Sequence, residues 1–407
     1  MNPRPRLFRL SVLAVALTTS ASLAIAGQAG ASPAAESHTT PAPITVGVIC
    51  TCSGPFGADI LAAEDTYEAW VHAVNKSGGI EGHAVQLTLD DDAGNPGTSV
   101  SEAQSLVSKH VDAILDFSIV DQTWASKVQA AKIPVVGGDE TEVPFYTSPD
   151  FYPEGQTNNS VTYANVYTAK KAGAKNLGDL YCAEAASCQE GVAPIEAAGR
   201  KLGVPVVYNA EIAFTAPNYT AQCVAAQQKH VSALFIGDAS FVIAKVGTNC
   251  YQQGYAPTYV TEGEGFGLSM ASADGLRNHL WSEYGTVPFF AHIPAIKAMD
   301  TAVDKYYPGL RSNPNEWTQI AAQAWASGLL LNDGVTAGGL KPTSRPTAAE
   351  ITTGLESLKG DTLQGMAPPL TFAPGKTHPI NCWFTGRVQN GVPSVTNGGH
   401  VTCQSGT

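Results

Sequence analysis

The residues able to do chemistry collect in short loops, each following an apolar run. Ser53 stands in Ser53-Gly54-Pro55 after Ile44 to Cys50, and Ser118, Ile119, Asp121 and Gln122 follow Ala113 to Phe117. Asp139 comes after Gly137-Gly138, Asp238 after Ala233 to Gly237, and Glu262 and Glu264 after Thr258 to Thr261. Hydroxyls and carboxylates so placed can hold the polar groups of a small molecule, and a half-buried carboxylate suits a cation. Catalysis has no comparable set. The nine histidines show no paired metal-ligand spacing, and no G-x-S-x-G elbow or cysteine-protease signature occurs. Gly263, Gly265 and Gly267 lack the spacing of a phosphate loop, and Asp90 to Asn95 lacks the glutamate that closes a calcium loop. A binding protein is therefore expected, not an enzyme, with no metal and no cofactor.

The elements that position these loops follow from periodicity. Ile44, Val46, Val48 and Ile49 read as a buried parallel strand. Ile60, Ala63, Tyr67, Trp70, Val71 and Val74 recur at three- and four-residue spacing, one face of a helix that stops at Gly78-Gly79. A second strand, Val85 to Leu89, follows, so the loop at Ser53 lies where open α/β sheets place their ligands. A helix from Asn95-Pro96 to His110, a strand Ala113 to Phe117, a helix Asp121 to Ala131 and a strand Ile133 to Val136 complete a parallel, doubly wound lobe. The irregular stretch Pro144 to Pro153 reads as a crossing. Strands Asn176 to Tyr181, Val204 to Ile212, Ala233 to Ile236, Thr258 to Thr261 and His279 to Tyr284, interleaved with helices, then build a second lobe of the same α/β class. Beyond a second crossing at Gly285 to Phe289 come helices from His292 to Tyr307, Trp317 to Leu331 and Thr347 to Leu358, then a β-rich tail from Leu370 to Cys403.

Composition narrows the setting. Arg4, Arg6 and Arg9 precede an apolar run from Leu10 to Ile25, so residues 1–31 read as an export signal and 32–43, rich in Ala, Ser, Thr and Pro, as a flexible leader. No cysteine near the cleavage site offers a lipid anchor, and no later apolar run is long enough to span a bilayer. A soluble protein of the periplasm, cell envelope or medium is expected. Without those arginines, 20 basic residues face 35 acidic ones, a net charge of about −15 that disfavours nucleic acid as a partner. Eight cysteines in an exported chain favour disulfides. Spacing points to Cys182 with Cys188, Cys223 with Cys250 and Cys382 with Cys403, leaving Cys50 and Cys52 as a tight clip, a reactive disulfide or two thiols.

Ser53-Gly54-Pro55, Asn75 to Gly82 (NKSGGIEG), Asp91 to Pro96 (DDAGNP), Ile133-Pro134, Arg200 to Pro205 (RKLGVP), Gly354 to Gly375 and Gln389-Asn390-Gly391 occur in an order that resembles the solute-binding proteins of ABC importers, in the leucine/isoleucine/valine-binding family. The resemblance implies a type I periplasmic-binding-protein fold, two lobes joined by three crossovers, the third near Gly365 to Phe372. Residues 44–147 and 287–366 would form lobe one, and residues 148–286 and 367–407 lobe two. It implies a monomer that closes on a small molecule and delivers it to an ABC permease; a sensor with the same lobes is the alternative. It maps a carboxylate-holding role onto Ser53, though a Ser-Gly-Pro turn capping a helix would use the same residues. Ser118, flanked by Ile119 and Gln122, stands in the second contact loop, and Asp139 in a polar wall. Cys188 occupies the place of a ligand-stacking tyrosine, and Glu262 or Glu264 would meet a ligand ammonium, with Asp238 beside them. Phe56, Trp124 and Phe266 are candidates for an apolar wall. An amino acid or a related carboxylate or aromatic metabolite is the ligand so implied.

Overall fold

The computed structural model describes residues 41–404 except 55, 56, 140 and 185, and omits the side chains of 186 and 187. The export signal and Phe56 lie outside the described residues.

Five strands form the first sheet: β1 (Ile44–Cys50), β2 (Val85–Asp91), β3 (Ala113–Phe117), β4 (Val135–Val136) and β5 (Phe151–Tyr152), in the order β2-β1-β3-β4-β5 and all parallel. β1 lies between β2 and β3 with Val46 opposite Leu87 and Ala113. Its apolar residues are buried because helices cover both faces of the sheet, and such strands read as near-continuous hydrophobic runs. Helix Gly57–Lys76 packs against Pro294–Tyr306 and Ile320–Ala337. The last of these is buried almost throughout, as its apolar sequence requires.

The second sheet holds β6 (Leu177–Cys182), β7 (Val206–Ile212), β8 (Ala233–Gly237), β9 (Thr258–Glu262) and β10 (Leu280–Tyr284), which pair in parallel. After the short pair β11 (Lys359–Asp361) and β12 (Leu370–Thr371) come β13 (Cys382–Gln389), β14 (Val392–Val395) and β15 (Thr402–Cys403); β13 adds antiparallel to β10 and carries the other two. The chain passes between the sheets three times, after β5, after β10 and after β12.

Two expected boundaries shift. β5 belongs to the first sheet, so that sheet reaches residue 152 and not 147; a two-residue strand beside Pro149 and Pro153 has no periodicity to announce it. β12 pairs with β11, at the end of a helix that packs on Ile320–Ala337, so the third crossing follows Phe372 and does not precede it.

The crossings are tied to one another. The Gln319 amide donates to Thr286 Oγ1 and the Val287 carbonyl, both at 3.0 Å, and accepts from the Phe289 N–H at 2.9 Å. The Tyr152 ring stacks on His378 at 4.8 Å and meets Phe372 edge-on at 5.4 Å. Burial there pushes the His378 imidazole down to about 4, so it is neutral at ordinary pH. All four cysteine pairs are disulfides: Cys50–Cys52, Cys182–Cys188, Cys223–Cys250 and Cys382–Cys403. No helix among the described residues is long and apolar enough to cross a membrane.

Candidate ligand-binding site

The carboxyl ends of both parallel sheets face one cavity of about 490 Å³. From the first sheet come Ile119 and Gln122 after β3, then Asp139, Thr141, Glu142, Val143 and Tyr146 after β4, with Asp59 and Ile60 from the helix after β1. From the second come Asp179 and Tyr181 on β6, Cys182, Cys188, Glu190 and Ile195 beyond it, Asp238 after β8, and Glu262 and Glu264 at and after the end of β9. Strand-end loops carry the site for the usual reason in open α/β sheets: the chain leaves the sheet there and the edge of the core opens.

Of the ten residues expected from sequence, Ile119, Gln122, Asp139, Cys188, Asp238, Glu262 and Glu264 line this cavity. Ser53 does not. It is exposed, and its N–H donates to Asp91 Oδ1 at 3.1 Å, so β2 draws the loop away from the cleft. Ser118 is wholly buried behind the wall, its hydroxyl given to Asp92 Oδ2 at 2.5 Å, while Thr51 holds the other oxygen at 2.7 Å. Trp124 and Phe266 are packed in the core: Trp124 lies against Phe151, and Phe266 sits among Tyr284, Phe289 and Phe290. Both hydroxyls expected to meet a ligand anion therefore stand outside the cavity.

Sequence reasoning overlooked Asp59, Glu142, Asp179 and Tyr181. Asp179 interrupts the apolar strand Leu177–Cys182, and a carboxylate in a buried strand is costly unless it has work to do. It is 1 % exposed, and no hydrogen bond to its side chain exists among the described residues. Asp59, on the first turn of its helix, crosses the cleft: Ser240 donates to its two oxygens from the backbone N–H at 3.0 Å and the hydroxyl at 2.7 Å.

The titratable groups of the lining are all of one sign or phenolic. Eight carboxylates surround the space, and among the described lining residues none is Lys, Arg or His. Burial pushes Asp179 and Asp238 up to about 7, the first aided by Glu196 and Glu262 and the second opposed by the Ala239 N–H. Glu262 also rises to about 7 through burial and the nearby Asp139, and Glu142 to about 9 for the same two reasons. Asp139 accepts from the Thr141 N–H at 3.0 Å and hydrogen-bonds Glu264, whose carboxyl burial holds well above the usual range. Unfilled, the cavity thus keeps several carboxyls protonated; a bound cation would let them ionise.

Two lobes, three crossings and a cleft lined from both sides define a bilobal ligand-binding protein. The chain belongs to the periplasmic binding protein family, whose model matches residues 43–393. It is 32% identical over 117 residues to the Leu/Ile/Val-binding protein BraC3 of Rhizobium johnstonii; the match covers 29% of this chain and 31% of that protein, so it spans about a third of the curated relative. Its fold is similar to a fatty acid ABC transporter substrate-binding protein from Thermomonospora curvata (TM-score 0.73, 15% identity, 89% of this chain and 93% of that one). It is also similar to a solute-binding protein of an ABC transporter from R. palustris in complex with benzoate (TM-score 0.71, 15% identity, 89% of this chain and 98% of that one).

Proposed function

We propose that this protein is the extracytoplasmic solute-binding component of an ABC importer, capturing a small molecule in the cleft and presenting the closed form to a membrane permease. One observation carries the reading: the cavity of about 490 Å³ takes side chains from the strand ends of both sheets, so an occupant touches both lobes at once. Only contacts that differ between open and closed forms shift that equilibrium, and a ligand bridging the lobes supplies them. The family membership supports capture of a solute, and the proteins of similar fold include substrate-binding components of ABC transporters. The acidic lining further favours a ligand bearing an amino group over a purely anionic one.

The test is a thermal-shift screen of the purified protein against amines, amino acids and carboxylic acids, followed by small-angle scattering on any hit. A binder should raise the melting temperature by mass action and shrink the radius of gyration. If no compound of any class stabilises the protein or alters its envelope, the solute-binding reading fails. Co-purification with a histidine kinase, and not with a permease, would transfer the same binding event to sensing.

A further inference from the structure

We propose that the cleft is built for an aliphatic polycation, a small molecule carrying two or more protonated amines and no carboxylate; this rests on the solute-binding reading above. The first observation is the sign of the lining, which is acidic from both lobes and carries no cationic side chain among the described residues. An amino acid needs a donor set for its carboxylate as well as an acceptor for its ammonium. Here the expected hydroxyls are not available: Ser53 lies outside the cavity and the Ser118 hydroxyl is committed to Asp92, while the donors that do line the space, such as Gln122 and Thr162, are neutral and stand among eight carboxylates. The amino-terminal N–H of helix Ser240–Gln252, an obvious seat for an anion, is filled by the protein's own Asp59.

The second observation is Asp179. Its side chain is almost completely buried, makes no hydrogen bond among the described residues and stands in the cavity wall. One oxygen of Asp238, Oδ2, is likewise buried without a partner. Buried charges are paired or hydrogen-bonded in stable proteins, so unpaired carboxylates facing a cavity describe a partner that arrives from outside. Acids on opposite walls, Asp139 and Glu142 against Asp179 and Glu262, ask for more than one positive centre. Between them Ile60, Ile119, Ile195, Phe235 and Ile320 present hydrocarbon, which fits methylene spacers and not a bare metal ion. Tyr146 and Tyr181 also line the space, and aromatic rings attract ammonium groups.

Isothermal titration of the purified protein with spermidine, cadaverine, pentylamine, L-leucine, sodium benzoate and calcium chloride tests this. Spermidine or cadaverine should bind one to one, at least a hundredfold more tightly than pentylamine, and weaken as salt is raised. Asp179→Asn and Glu262→Gln should each cost at least tenfold in affinity without lowering the melting temperature of the ligand-free protein, since each keeps the side chain's shape and removes only a carboxyl that has no partner within the protein. Two variants guard against one that misfolds. Tight binding of leucine or benzoate with no binding of the polyamines overturns the ligand class but leaves the solute-binding reading standing. Calcium that binds alone and blocks spermidine also overturns it, in favour of an inorganic cation. Silence from all six, with no hit in the wider screen, removes both.

Discussion

Asp59 and Ser240, 181 residues apart, join the two lobes across the mouth of the cleft. Asp59 rides on the helix after β1 and Ser240 opens the helix after β8, so the carboxylate sits on the amino-terminal end of a helix in the opposite lobe. Its backbone is anchored as well, because Thr318 Oγ1 donates to the Asp59 carbonyl at 2.7 Å. This contact exists only while the lobes are together. Ser240→Ala leaves a buried carboxylate with one donor fewer, a loss of about 1–3 kcal/mol. The expected outcome is a larger radius of gyration in the ligand-free protein and weaker ligand binding. Unchanged scattering would show that the clasp does not hold the lobes.

The disulfides should separate by role. Loop-closure entropy makes Cys223–Cys250, which ties helices Thr220–Gln228 and Ser240–Gln252, worth about 3–4 kcal/mol, and the shorter Cys182–Cys188 loop about 2 kcal/mol. Only the second pair lines the cavity. The double variant Cys223→Ala/Cys250→Ala is therefore expected to lower the denaturation midpoint more while keeping ligand affinity. Cys182→Ala/Cys188→Ala should lower it less and lose affinity. Urea melts and titration calorimetry on the two variants decide the ordering, and the reverse ordering counts against this division.

Gly138 sets the Asp139 wall. Its φ of +148° is outside the range that L side chains readily adopt, and a Cβ there would overlap the Asp116 carbonyl. Its N–H also donates to Glu154 Oε2 at 3.0 Å. Gly138→Ala should cost roughly 1–3 kcal/mol, the range for a strained backbone position, and displace the loop that presents Asp139 and Glu142. Ligand affinity is the discriminating readout: a variant that melts earlier yet binds normally would show that this loop does not shape the site.

Much of the fold was legible because buried parallel strands leave a strong mark. Runs such as Ile44 to Cys50 and Ala113 to Phe117 are apolar along their length, and seven of the ten residues named from sequence line the cavity that opens where such strands end. What stayed hidden has a common cause: it depends on partners far along the chain. An aspartate on the first turn of a helix is ordinary dipole compensation until Ser240 arrives from the other lobe. Ser53 looked like an anion seat until Asp91, on a neighbouring strand, took its N–H. Asp179 differs, since its cost is visible locally in the strand Leu177–Cys182. The sign of the cavity is a collective property of loops from β3, β4, β6, β8 and β9, and no single loop reveals it.

That collective property sets the pH dependence of stability. Asp179 and Glu262 of the lining are pushed up to about 7 and Glu142 to about 9, and Glu154, which lies outside the lining and accepts from the Gly138 N–H, to about 8, each chiefly by burial. In the unfolded chain these groups release their protons near pH 4. Between about pH 4 and each folded value the native state therefore binds more protons than the unfolded state, and stability falls as pH rises. His378 acts in the opposite sense, since its folded value of about 4 lies below the unfolded one, but all except about 0.4 kcal/mol of that contribution is already present at pH 6.5. A comparison of roughly pH 6.5 with pH 8.5 therefore reads chiefly the carboxyls. Urea denaturation of the ligand-free protein should give a lower unfolding free energy at the higher pH, and Glu262→Gln should flatten the slope. A saturating polycation should oppose the loss, because it binds the ionised carboxylates, and its binding near pH 6.5 should release protons, seen as a heat that depends on the buffer's ionisation enthalpy. Stability that held level or rose between those two values would mean that the cleft carboxyls are already ionised and paired within the protein, and the argument for an external cation would lose its electrostatic support.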